Sequence, residues 1–96
     1  MANPVIVVKA VHEIGRILGG YRHEIEIDRP MTVTEFVALL SARYGEEFKK
    51  KLTPKENTIW TAVLFVNGRN VLHLEGGETM LHDGDEFLIM TPLSGG

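Results

Sequence analysis

The sequence predicts an α+β domain: a mixed sheet of about five strands with one main helix packed on one face. Three observations carry this. Short β-branched or apolar runs stand at both ends of the chain, Val5-Ile6-Val7-Val8 and Phe87-Leu88-Ile89-Met90. Between them, a single long stretch from Val33 to Tyr44 repeats apolar residues at helical spacing. Its 96 residues, 44% hydrophobic and 24% charged, suffice for one packed core and leave no room for a second.

The first strand follows Pro4 and runs from Val5 to Val11, a central strand by its apolar character. Gly15, Gly19 and Gly20 break the next stretch, and Tyr21 to Ile27 then alternates polar and apolar as a half-exposed strand, paired antiparallel with the first. Pro30 ends it. Thr32 with Glu35 forms a capping-box pattern, and Met31 with Phe36 occupies the staple positions, so a helix starts here. Val33, Phe36, Val37, Leu40 and Tyr44 form its apolar stripe, the first four directed at Ile6, Val8, Val66 and Ile89, and Gly45 stands where a left-handed terminator is wanted.

Residues 46–58 are polar, with Lys49-Lys50-Lys51 and Pro54, and predict an exposed connection with room for one helical turn. Thr61 to Val66 is a strand. Asn67-Gly68 is the strongest short hairpin signal, because both positions accept positive φ. Val71 to Leu74 returns as a short strand, Gly76-Gly77 and Asp83-Gly84-Asp85 are turns, and Glu86 to Thr91 is the last strand before Pro92. The first and last strands then pair in parallel at the sheet centre, which is the β-grasp arrangement. Residues 1–92 form the domain and 93–96 a flexible tail.

The last strand also predicts a surface. A single helix covers one face of a sheet, so with Phe87 and Ile89 inward, Leu88 and Met90 join Phe65 on the uncovered face as a patch for a protein partner.

Composition removes several function classes. A formal charge of −3 argues against nucleic acid. The absence of cysteine excludes disulfides, thiolate metal sites and a cysteine nucleophile, so any sulfur chemistry must borrow its sulfur. No apolar run approaches the roughly 20 residues of a membrane span and no signal peptide opens the chain, which predicts a cytoplasmic protein away from membranes. His12, His23, His73 and His82 lack metal-ligand spacing and read as surface or edge residues, and no metal site is expected. Asp83, Asp85 and Glu86 lack the remaining ligands of a calcium loop and read as a turn. Lys49 to Lys51 is a solvated face. After Arg69 the sequence has no Lys or Arg, so its last third is acidic.

The sequence closes on Pro92-Leu93-Ser94-Gly95-Gly96. At average glycine usage a terminal pair arises by chance in roughly one chain in 200. A frayed end is the plain reading. The chemical one is a carboxylate on a segment thin enough to thread a channel, which activation by ATP turns into an electrophile for a persulfide, thiol or amine.

Val63-Leu64-Phe65-Val66-Asn67-Gly68, Asp83-Gly84-Asp85-Glu86 and Pro92 to Gly96, in that order, resemble the ubiquitin-like sulfur carriers. Among these the sequence is most similar to the small subunit of molybdopterin synthase, and it is also similar to the thiamine sulfur carrier. The resemblance implies that an ATP-using, ubiquitin-activating-type enzyme adenylates Gly96 and that a sulfur donor protein supplies a thiocarboxylate there. The tail, with Gly95, Ser94, Leu93 and Pro92 setting its reach, would then enter the large synthase subunit and give sulfur to a cyclic pyranopterin. The small protein would be a non-catalytic sulfur donor, binding no cofactor of its own. Three alternatives stay open: a carrier serving thiazole or another metabolite, a protein modifier joined to lysine, and an inert interaction module.

Overall fold

The computed structural model describes residues 2–52 and 63–90. A five-stranded mixed sheet is built from β1 (Val5–Ala10), β2 (Arg22–Glu26), β4 (Val63–Val66), β5 (Arg69–Asn70) and β7 (Glu86–Met90), in the order β2-β1-β7-β4-β5. β1 and β7 pair in parallel, Val8 opposite Phe87 and Ala10 opposite Ile89. The other pairings are antiparallel. The predicted β-grasp is therefore observed. The strand starts expected at Thr61 and Ala62, the end expected at Thr91, and residues 53–58 lie outside the described residues.

The long helix, α2 (Val33–Tyr44), begins as its sequence dictates. Glu35 N donates to Thr32 Oγ1 at 3.1 Å, and Thr32 N donates to Glu35 Oε1 at 2.9 Å, so both halves of the capping box are made. Val33, Phe36 and Leu40 are fully buried, with Val37 and Tyr44 packed at the margin of the core. Phe36 meets Phe87 edge to face, ring centroids 5.3 Å apart at 89°. The helix thus lies on the face of the sheet that presents Ile6, Val8, Leu64, Val66, Phe87 and Ile89. Gly45 has a positive φ of 95° but ψ −170°, so it leaves the helix by an extended path and not in the left-handed helical conformation expected.

Three further local readings are corrected, and one pairing is new. The glycines after β1 do not break the chain. They flank and floor a short helix, α1 (His12–Leu18), whose Ile14 and Leu18 are buried. Gly19 at φ 87° closes it, donating to Arg16 O, while Gly20 N donates to Gly15 O. Residues 46–52 are not an exposed connection. They form α3 (Glu46–Leu52), with Phe48 and Leu52, one turn apart, fully buried. Tyr44 stacks obliquely on Phe48 at 6.0 Å, which ties α3 to the end of α2. Lys49 and Lys50 are exposed, as expected.

The return strand of the hairpin is only β5, not Val71–Leu74. Asn70 Oδ1 accepts from Leu72 N at 2.8 Å and turns the chain into a 3₁₀ helix over Val71–His73. A second 3₁₀ turn follows at Gly76–Glu78. Finally, β3 (Met31–Thr32) and β6 (Met80–Leu81) form a separate two-stranded ladder that seats the start of α2, with Val33 N donating to Thr79 O.

Candidate functional site

β7 runs up the middle of the sheet, and its strand alternation decides what faces where. Phe87 and Ile89 point to the core and are fully buried. Leu88 and Met90 point away from α2. On the neighbouring strand, Phe65 lies opposite Leu88 and Val63 opposite Met90. Met90 and Val63 are each 37% exposed, Phe65 and Leu88 partly so. No helix among the described residues covers this side. The result is a contiguous apolar strip at the end of the sheet toward which β7 runs.

Charge frames the strip on the β1 side. Lys9 lies opposite Leu88 and pairs with Glu86 at 3.4 Å. On the edge strand, Arg22 pairs with Glu24 at 3.1 Å, with Glu26 further along. Half-exposed Val5 and Val7 extend the apolar surface across β1. Phe65, Leu88 and Met90 were legible from the sequence; Val63 and Val7 belong to the same face and are the residues the sequence reading missed. Strand alternation from Phe65 and Lys9 was the signal for them.

At the opposite end of β7, the Asp83-Gly84-Asp85-Glu86 turn is fixed by its own side chains. Asp83 Oδ1 accepts from Val5 N at 2.8 Å, and Asp85 Oδ2 accepts from His82 N at 2.8 Å. Asn67 Nδ2 donates to Asp85 Oδ1 at 3.0 Å, and Glu86 N donates to Asn67 Oδ1 at 2.9 Å. Gly84 takes φ 86° and donates to Val5 O. These carboxylates are occupied as caps for backbone amides, so the turn anchors the register of β1, β4 and β7.

Among the described residues no three His, Asp or Glu side chains gather into a metal-binding group. His12 and His73 are exposed on separate helices, His82 is exposed between β6 and β7, and His23 is half-buried on edge strand β2 with Nε2 facing Gly20. No described helix is long and apolar enough to cross a membrane. Pro92, Leu93, Ser94, Gly95 and Gly96 lie outside the described residues. What the structure positions is their point of departure: Met90, the last described residue, at the edge of the apolar strip.

The sequence profile of the ThiS family matches residues 8–96. A protein of Archaeoglobus fulgidus, named as a candidate sulfur carrier protein, is 39% identical over 74 residues, which span 76% of this chain and 84% of that protein. The solution structure of small archaeal modifier protein 1 from Methanosarcina acetivorans matches with a TM-score of 0.76 at 26% identity, covering 97% of each chain. A candidate molybdopterin converting factor subunit 1 from Pyrococcus furiosus has the same fold, with a TM-score of 0.76, 23% identity, and coverage of 95% and 100%.

Proposed function

The chain belongs to the ThiS family, and on that premise we propose that it is a sulfur carrier whose reactive group is the carboxylate of Gly96. The observation that carries this is the family match, which extends through Gly95-Gly96. With no cysteine in the sequence, the chain cannot hold sulfur on a side-chain thiol, and the family resemblance implies the carboxylate of Gly96 as the place for it.

The chemistry needs three events. A Gly96 carboxylate oxygen attacks the α-phosphorus of ATP, and pyrophosphate leaves. A persulfide on a sulfur donor protein then attacks the acyl adenylate, and AMP leaves. A thiol cleaves the resulting acyl disulfide and frees the thiocarboxylate. Each event uses groups held by partners; the carrier supplies a narrow tail and a docking surface. Val63, Phe65, Leu88 and Met90 are suited to that surface, since they sit beside the departure point of the tail and are apolar, with Lys9 and Glu86 at their border. Pro92 and Leu93 would set the direction in which the tail leaves.

The acceptor we assign is a cyclic pyranopterin bound to the large subunit of molybdopterin synthase. The support is the resemblance carried by Asn67-Gly68, Asp83 to Glu86 and Pro92 to Gly96. A second reading, a modifier joined to lysine through the same activated end, is favoured by the 26% identity with small archaeal modifier protein 1 over nearly the whole chain.

One experiment separates these. The protein is incubated with a ubiquitin-activating-type enzyme, ATP and a persulfide donor, and the intact mass is measured. Exchange of one oxygen for one sulfur supports the carrier, a ladder of conjugates supports the modifier, and an unchanged mass overturns both. Adding the large synthase subunit and pyranopterin to the sulfur-loaded form then tests the acceptor.

A further inference from the structure

Asn67 and Gly68 form the mirror-image two-residue turn between β4 and β5, at φ 51° and 84°. Asn followed by Gly is also the dipeptide whose backbone nitrogen most easily reaches the preceding side-chain amide, because glycine places no Cβ in the way. Both residues are exposed here. Yet the amide is tied down on both sides. Nδ2 donates to Asp85 Oδ1 at 3.0 Å, Oδ1 accepts from Glu86 N at 2.9 Å, and Asn67 N donates to Glu86 O at 2.8 Å.

We propose that Asn67 is a site of spontaneous deamidation that the Asp85–Glu86 clamp holds in check, and that its modification irreversibly opens the start of the central strand. The Gly68 nitrogen, giving its proton to hydroxide, attacks Asn67 Cγ. The Cγ–Nδ2 bond breaks, ammonia leaves with a proton from water, and a succinimide closes. Water then opens the ring at either carbonyl, giving Asp or its isomer with the side-chain carbon in the backbone. The balance is water in and ammonia out, with no oxidant or reductant.

Ring closure requires the side chain to swing toward Gly68 N. Two hydrogen bonds from its amide and a turn fixed by the hairpin oppose that swing, so reaction waits for local opening. The product cannot restore the clamp. In the Asp form a carboxylate oxygen replaces the Nδ2 donor and faces Asp85 Oδ1, and two carboxylates at hydrogen-bond distance repel where donor and acceptor attracted. In the isomer an added backbone carbon spoils the two-residue turn. Either change loosens the hold on Asp85, and with it the bond from Val7 N to Asp85 O that joins β1 to this end of β7.

The test is the deamidation rate at one mildly alkaline pH, read by peptide mapping of the β4–β5 segment for a gain of about one dalton. Native wild type should react at least about tenfold more slowly than the urea-unfolded chain, since only the opened fraction is reactive. Asp85→Ala removes the acceptor of Nδ2 and should speed the native reaction several-fold with circular dichroism unchanged. Asp85→Asn keeps one oxygen acceptor where Asp85 uses two, for Asn67 Nδ2 and His82 N, and should react at a rate between those of wild type and Asp85→Ala. Asn67→Asp, the product, should melt below wild type. Equal rates for native and unfolded wild type overturn the protection, and so does a folded Asp85→Ala that reacts as slowly as wild type. An Asn67→Asp variant with the wild-type Tm overturns the consequence. Should Asp85→Ala fail to fold, the comparison of native and unfolded wild type decides. None of these readouts involves sulfur loading, so they stand apart from the proposed carrier role.

Discussion

At the residue scale, glycine does two separable jobs. Gly15 lies inside α1, where a glycine costs about 1 kcal/mol of helix propensity relative to alanine. The structure shows why it is there: a Cβ at this position would lie 2.7 Å from Ala10 O, a backbone atom that cannot move aside. Gly15→Ala should therefore destabilise the protein by about 1–3 kcal/mol despite its better propensity, as measured by urea unfolding. A stabilised variant would mean that α1 sits further from β1. On the proposed function, the Gly95-Gly96 pair would be a matter of access. Gly95→Val, or one alanine added after Gly96, should abolish adenylation and sulfur loading in the mass assay while leaving Tm unchanged, because a β-branched side chain thickens the tail and an added residue displaces the carboxylate. Loading of the extended chain without prior trimming would refute Gly96 as the reactive end.

At the element scale, α2 holds the domain together. Phe36 is fully buried against Phe87 at its centre, so Phe36→Ala should cost about 3–5 kcal/mol, a large share of the stability of a domain this small. A loss below about 1 kcal/mol in denaturant melts would contradict the buried helix face. The start of α2 has a pH dependence of its own. The Glu35 carboxyl is held below its ordinary value, first by the hydrogen bond from Thr32 N and then by the Arg29 guanidinium, 3.8 Å away, and the Thr32 hydroxyl. A depressed carboxyl contributes stability that is present above its unfolded pKa and is lost as pH falls through the folded one. Glu35→Gln should accordingly be less stable than wild type near neutral pH, and the gap should narrow in acid. A gap that widens in acid would contradict the capping box as the cause.

At the scale of the whole molecule, the sheet divides its labour between two faces. The inner face is the core under α1, α2 and α3. Among the described residues no helix lies over the outer face, and its apolar strip lies where β7 hands the chain to residues 91–96. If the proposed function holds, Phe65→Asp and Met90→Asp should each weaken binding to a ubiquitin-activating-type adenylating enzyme several-fold in calorimetric titration, with Tm nearly unchanged, since neither side chain belongs to the buried cluster. A variant that keeps wild-type affinity would move the docking surface elsewhere. Glu86 and the acidic last third of the sequence would steer encounter with basic groups on such a partner, an effect that falls as salt rises.

Beyond the family, which came by resemblance of motifs, the sequence by itself determined β1, β2, β4 and β7, the start and stripe of α2, the hairpin at Asn67-Gly68, and the inward and outward sets on β7. Each rests on a local signal that physical chemistry makes unambiguous: alternation, 3.6-residue spacing, a capping box, positive φ. Only the tertiary structure decided α1, α3, the β3–β6 ladder and the Asn67 clamp. α1 and α3 are short and would not stand alone in water, so their existence depends on Ile14, Leu18, Phe48 and Leu52 finding the core. β3 and β6 are two residues each and exist because the fold brings Met31 beside Leu81. Asn67 bonds to residues 18 and 19 positions away. A contact of that range leaves no period in the chain, and it becomes real only when β4 and β7 are already side by side.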